Sequence, residues 1–289
     1  MIRKRTVLAW AGKRAASRVA RLLGAILLAI GVVVIVAACS TAQESGVTTA
    51  QGVAVGSGEA GESSALTTIT DDGGREVSVP SQVEKVFCTS PLGTYMVYTL
   101  APDKLVGWNT TPTKVEQEYM PEKYRPAVGL GGWYGKNTTG NVEEIIKRGP
   151  ELILSVGDVT EGTASDADRV QGLLNIPVVL IDSALVKTGD AYRFVGGLLG
   201  EEERAEELAR YSEAVVARAQ EIAGGLPESE RVSIYYAEGA KGLYTDPEGS
   251  AHTEVFSLVG ALNVADVELQ QGYGMSPVSL EQVIVWDPE

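Results

Sequence analysis

The sequence predicts an α/β protein whose ordered part is two strand-and-helix regions braced by one long helix. Three observations carry this. Short apolar strands alternate with helical stretches between Val83 and Ile181. An uninterrupted helical pattern then runs from Glu201 to Ala223, and beyond it the alternation restarts at Val232-Ser233-Ile234-Tyr235-Tyr236. Apolar strands separated by helices point to a parallel sheet covered on both faces.

The chain opens on a different kind of segment. Arg3, Lys4, Arg5, Lys13, Arg14, Arg18 and Arg21 precede an uncharged apolar run from Leu22 to Ala38, and no acidic residue lies among them. A basic stretch, an apolar stretch and small residues before a cleavage point make a secretory signal peptide over 1–38. The run's ending, Val36-Ala37-Ala38-Cys39, resembles a bacterial lipobox. That resemblance implies a mature chain beginning at Cys39, with acyl lipid of the palmitate kind on its sulfur, held at the extracytoplasmic face of the cell membrane. A plain spanning anchor is the alternative, but small residues followed by Cys serve processing and not spanning. Two acyl chains hold a protein at a bilayer where one binds marginally.

Without the leader, 17 basic residues face 38 acidic ones, a net charge of about −21 with His neutral. Such a surface repels nucleic acid and anionic headgroups at long range. With Cys39 carrying lipid, Cys88 has no partner for a disulfide. Its place in the strand-like Val83-Glu84-Lys85-Val86-Phe87-Cys88 marks it as a small buried hydrophobe.

Residues 39–65 form a tether: Ser40 to Ala65 is rich in Gly, Ser, Thr, Ala and Glu and has no apolar residue larger than Val. As a flexible coil it would span roughly 28 Å. Within it Gly56-Ser57-Gly58-Glu59-Ala60-Gly61 matches a dinucleotide-loop pattern, but no βαβ unit surrounds it, so it reads as linker.

Order begins with a hairpin, Thr68-Ile69-Thr70 and Glu76-Val77-Ser78-Val79 flanking Asp71-Asp72-Gly73-Gly74. Strand and helix segments follow in turn: Val83 to Cys88, Gly93 to Ala101, Lys104 to Trp108, Val142 to Lys147, Glu151 to Val156, Ala167 to Leu174 and Pro177 to Ile181. The long helix starts on three glutamates and stops at Gly224-Gly225. Leu208, Tyr211, Val215, Ala219 and Ile222 make an apolar stripe along it. A helical stretch from Thr253 to Val259 follows the restart. Only 59 residues remain from Arg231, few for an independent α/β core, so the C-terminal region is expected to continue past Glu289.

Several segments together carry a resemblance to a known family. They are Ile69 to Pro80, Lys85-Val86-Phe87-Cys88-Thr89-Ser90, Asp103-Lys104-Leu105-Val106-Gly107, Asn141-Val142-Glu143-Glu144-Ile145-Ile146 and Gly149-Pro150-Glu151-Leu152-Ile153-Leu154. Gly242-Leu243-Tyr244-Thr245-Asp246 and Ser279-Leu280-Glu281-Gln282-Val283 complete the set. In order and spacing these resemble the ABC-transporter substrate-binding lipoproteins that deliver ferric siderophores, haem, cobalamin and some oxyanions. The resemblance implies two Rossmann-like lobes joined by a single long helix: an N-terminal lobe over 66–187, a helical connector over 188–225 and a partial, truncated C-terminal lobe over 226–289. It implies a monomer that is not an enzyme and needs no cofactor. Its ligand would be an iron complex, and its partners a permease and that permease's ATPase.

The resemblance also gives Glu143 and Glu281 a role, one acidic residue per lobe docking on permease arginines. Asn141 can cap a helix with Glu143 and Glu144 in its first turn, and Ser279 with Gln282 forms a capping-box pattern, so both helix starts suit carboxylates without any partner. For the cleft, the loops outside the carboxyl ends of parallel strands are the expected place. They select Ser90, Pro91, Trp108, Asn109, Trp133, Tyr134, Lys136 and Asp158 before the long helix. After it they select Glu238, Tyr244, Ser250, His252, Tyr273 and Met275. Trp133 and Tyr134 sit between glycines and are suited to stacking on a flat ligand, although ordinary packing explains an aromatic equally well. His252 is the only histidine, and no Cys or second His completes a zinc site with it. Direct metal binding is therefore not expected, and contact with a metal inside a bound chelate is the minority reading.

Two rival functions remain. A secreted hydrolase would need His252 as its base, yet the chain has no Gly-x-Ser-x-Gly elbow and no His-Glu-x-x-His helix. A surface receptor that senses ligand without transport differs only in lacking the docking pair.

Overall fold

A computed structural model describes residues 65–134, 137–269 and 274–289 of the chain. The leader, Cys39 and the glycine-rich tether before Ala65 lie outside them. Among the described residues no helix is long and apolar enough to cross a membrane.

The elements follow in order. Before the long helix come β1 (Leu66–Thr70), β2 (Glu76–Pro80), β3 (Val86–Cys88), α1 (Pro91–Leu100), α2 (Lys114–Glu118), β4 (Trp133–Tyr134), β5 (Asn137–Thr138), α3 (Val142–Arg148), β6 (Leu152–Gly157), α4 (Glu161–Leu174), β7 (Val178–Asp182) and α5 (Thr188–Leu199). The long helix is α6 (Glu202–Gly224). After it come β8 (Ser233–Ile234), β9 (Tyr244–Thr245), α7 (Glu254–Leu258), β10 (Leu262–Asn263), β11 (Ser276–Pro277) and α8 (Leu280–Trp286).

β3, β6 and β7 form a parallel sheet in the order β3-β6-β7, with Val86 opposite Leu152 and Ile153 opposite Val178. Because side chains alternate across a strand, the same three strands feed two cores. Val86, Cys88, Leu152, Leu154, Val179 and Ile181 point to one side, where Val97 of α1, Val195 of α5 and Ala205 of α6 cover them. Phe87, Ile153, Val178 and Leu180 point to the other, against Ile145 of α3 and Val170 of α4. Helices thus cover both faces, as the unbroken apolar runs predict. Cys88 is completely buried, and desolvation pushes its thiol far above the usual range, so it packs and does not react.

The hairpin β1–β2 forms in the expected register, Ile69 opposite Val77, with Gly74 at φ 73° in its turn. Arg75 ties that turn to the sheet. Its guanidinium holds the buried Asp71 at 2.9 Å and Asp168 of α4 at 2.7 Å, and donates to the Val178 carbonyl.

Two expectations change. Lys104 to Trp108 is not a strand: a 3-10 turn at Pro102–Lys104 leads into isolated bridges, Val86 to Leu105 and Trp108 to Gly129. Pro102 removes a backbone donor there and fixes the turn. The apolar stripe of the long helix is not its buried face either. Tyr211, Val215 and Ile222 are exposed, while Ala205, Ala209 and Ala223 are buried. The contact with α5 is made by small residues that let two backbones close up, so side-chain bulk does not mark it. A Cβ on Gly196 of α5 would stand 2.2 Å from the Ala205 Cβ. Gly200, left-handed at φ 68°, ends α5 and turns the chain directly into α6.

Beyond α6, β8 pairs parallel with β10, and β9 pairs antiparallel with β11. Gly260 lies against Ala223 at the end of α6. Glu254 of α7 accepts the Leu185 backbone N–H at 3.0 Å through both carboxylate oxygens, a bond that spans the length of α6 in sequence.

Candidate functional site

Elements before α6 hold most of their predicted site residues by internal bonds. Ser90 caps α1, accepting from Gly93, and its hydroxyl donates to the Val156 carbonyl at 2.8 Å, while Pro91 fills the first turn. Asn109 is buried: its amide donates to the Cys88 and Gly131 carbonyls at 2.9 and 3.0 Å and its oxygen accepts from Thr94 at 2.7 Å. Trp108 is buried edge-on against Tyr95 and Tyr98. Trp133 is half-buried, packed edge-on against Phe87 and over Gly140, and Tyr134 beside it is half-buried too. Asp158, just past β6, is exposed. Lys136 lies outside the described residues.

After α6 the predicted residues converge. A bridge joins Glu238 to Tyr244, whose carbonyl accepts from the Glu238 N–H at 2.7 Å. Ser250 lies in the turn before α7 and His252 two residues on. Between them stands a residue that the sequence reading missed as a site, Asp246. It is fully buried, and its Oδ2 accepts the Ser250 hydroxyl at 2.8 Å and the His252 Nδ1–H at 2.7 Å. Its Oδ1 accepts the Met275 N–H at 2.5 Å. Glu238 Oε1 stands 3.7 Å from His252 Nδ1. Tyr236 lies 6.4 Å from the His252 ring and 5.6 Å from that of Phe256. Tyr244 is exposed at its ring, and Tyr273 lies outside the described residues.

Burial raises the Glu238 carboxyl above the usual range, the Asp246 carboxylate raises it further, and His252 offsets part of the rise. Burial likewise raises the Tyr236 phenol, with Glu238 and Asp246 adding to it. The result is a dense acidic pair beside one half-exposed imidazole.

This arrangement is not a hydrolytic triad. The Ser250 hydroxyl donates to Asp246 and not to the imidazole, so the imidazole is not aligned to take its proton as a triad requires. Among the described residues no hydrogen bond links this group to the Trp108, Asn109 and Trp133 group. A cavity of about 330 Å³ lies where the two sides of the chain meet at the end of α6, lined by Val186, Gln220, Ala223, Arg231, Glu254 and Ser257. A second, of about 570 Å³, is lined by Thr111, Gln117, Glu122, Arg125 and Val128.

Glu143 and Glu281 both sit exposed in the first turns of short helices, α3 and α8. Asn141 and Ser279 cap those helices by accepting from Glu144 and Gln282. Glu281's own backbone N–H and Ser279 hold its carboxyl below the usual range.

Known proteins share this fold. The chain is 27% identical to an ABC transporter solute binding protein from Sulfurospirillum deleyianum, with 76% of this chain and 69% of that one covered and a TM-score of 0.67. The molybdate periplasmic binding protein MolA of Haemophilus influenzae, in its molybdate-bound structure, matches at 19% identity over 77% of this chain and 72% of that one, TM-score 0.56. The heme binding protein HmuT matches at 20% identity over 78% and 70%, TM-score 0.53. The last two matches speak for the fold alone. No curated protein sequence matches the chain. The family model described as periplasmic binding protein covers residues 86–289, from the first strand of the parallel sheet through α8, and the chain therefore belongs to the periplasmic binding protein family.

Proposed function

We propose that this chain is the solute-binding lipoprotein of an ABC importer, that it captures a metal chelate of the ferric siderophore class, and that it passes this to a permease driven by a separate ATPase. The observation that carries the reading is the family match on both sides of α6, with that helix as the link between them. A protein so built holds its ligand between two α/β lobes. Trp133 and Tyr134 would offer aromatic faces from the N-terminal lobe, and Glu238, Tyr244, Ser250 and His252 polar groups from the C-terminal one. Cys39 would carry the lipid that keeps the protein at the membrane, and Glu143 with Glu281 would dock on the permease.

Proteins of this fold include a molybdate binder and a heme binder, so the fold by itself accommodates either an oxyanion or a metal chelate. The acidity of the chain argues against a bare oxyanion and for a chelate. A rigid helical link favours small lobe movement on binding.

Intrinsic tryptophan fluorescence of the purified full-length chain tests this, titrated in turn with a hydroxamate ferric siderophore, a catecholate one, haem, a corrinoid and molybdate. Saturable quenching by a ferric siderophore is expected. Saturation by haem, corrinoid or molybdate instead would replace the ligand class, and no saturation by any of the five would overturn the reading.

A further inference from the structure

Glu238, Asp246 and His252 each place one potential ligand atom within 4.8 Å of the other two. The cluster is built with care about its backbone. Gly274, at φ 58°, passes so close that a Cβ there would stand 2.3 Å from Asp246 Oδ2, and the next N–H, of Met275, donates to Oδ1. Ser250 and His252 satisfy Oδ2. Glu238 is left over. Its Oε2 is shut away from water and has no hydrogen-bond partner among the described residues. Buried carboxylate oxygens are ordinarily satisfied, and one left without a donor beside a second carboxylate is costly. One neutral imidazole has a single N–H to give, and Asp246 already takes it.

We propose that Glu238, Asp246 and His252 form a binding site for a first-row divalent transition-metal cation. Two carboxylates neutralise its charge, and the imidazole nitrogen selects such an ion over magnesium or calcium, which prefer oxygen donors alone. On binding, the His252 ring changes tautomer: Nδ1 gives up its proton to water, the half-exposed Nε2 takes one from water, and the Nδ1 lone pair of the still-neutral ring turns to the ion. With bonds of about 2.0–2.2 Å, neighbouring ligand atoms stand roughly 3.3 Å apart. The His252–Asp246 separation of 2.7 Å must then open and the His252–Glu238 separation of 3.7 Å close, each by a few tenths of an ångström. His252 is half-exposed, its side chain at 51%, and has room to make that adjustment. Three protein ligands leave positions open for water or for donor atoms of a bound chelate. This deepens the solute-binding reading, on which it rests for its purpose: the protein itself would grip the metal of its cargo.

Isothermal titration calorimetry of the metal-stripped full-length chain tests the site with Zn²⁺, with Mn²⁺ and with Mg²⁺ as the control. One Zn²⁺ per chain and no Mg²⁺ binding are expected. Glu238→Gln and His252→Gln, each near the wild-type shape, should each weaken Zn²⁺ binding by about tenfold or more while keeping the wild-type circular dichroism spectrum. Failure of the wild-type chain to bind Zn²⁺, or binding unchanged in both variants, overturns the site. Siderophore quenching without Zn²⁺ binding would remove this inference and leave the transport reading standing. Zn²⁺ binding without any chelate would do the reverse.

Discussion

Arg75 shows how one residue fixes a whole element. It pairs with a carboxylate that is fully buried, and loss of the guanidinium leaves Asp71 with three backbone donors, from Gly73, Arg75 and Leu180, and no countercharge. Arg75→Ala should cost about 3 kcal/mol, the low end for breaking a buried pair, as read by urea denaturation. An unchanged midpoint would mean that the backbone donors suffice. Glu238 works in the opposite sense. Its raised carboxyl binds a proton more tightly in the folded chain than in the unfolded one. Its contribution to stability is therefore complete below the ordinary glutamate value of 4.5 and is lost as pH rises through the raised one. In a chelator-containing buffer, Glu238→Gln should remove that loss, so its melting temperature should gain on wild type as pH climbs from 4.5 toward neutrality. A constant difference across that range would show that Glu238 is not perturbed. Asp246 was missed at this scale, although the Tyr244-Thr245-Asp246-Pro247 stretch was visible. What makes it a site is the approach of Ser250, His252 and Met275, and contacts formed only on folding leave little trace in local sequence.

The elements themselves were largely legible. Apolar runs with β-branched residues gave β3, β6 and β7 within a few positions, because a strand buried on both faces has no polar alternation to blur it. Asn141 and Ser279 located the starts of α3 and α8 through their capping chemistry. The face of α6 was not legible, since the alanines and glycine that pack it carry little hydrophobic signal. Gly196 is the sharpest check on that packing. Gly196→Ala puts a methyl group where the Ala205 methyl already stands, so α5 and α6 must separate, at roughly 1–3 kcal/mol by thermal or urea unfolding. Pairing it with Ala205→Gly should return most of the loss. No recovery would place the strain elsewhere.

At the scale of the whole molecule, the periplasmic binding-protein pattern could be read from the order of degenerate segments, none of them diagnostic alone. The family match over 86–289 confirms the assignment. The bound solute was not legible, because specificity lies in loop side chains whose meeting depends on the fold. The proposed docking on a permease likewise depends on the assembled molecule. Reversing charge at both exposed helix starts, Glu143→Lys with Glu281→Lys, should abolish solute uptake by cells while the purified chain binds its ligand as before. Uptake that survives both changes would argue for a receptor without a transporter.

Ligand capture between the two sides of α6 is the claim on which the rest depends. Fluorescence titration of Trp133→Ala and of His252→Ala, one substitution on each side of that helix, with the ferric siderophore that quenches the wild-type chain, measures it directly. Weakening of the affinity by both substitutions is the predicted result. Wild-type affinity in both variants would contradict it.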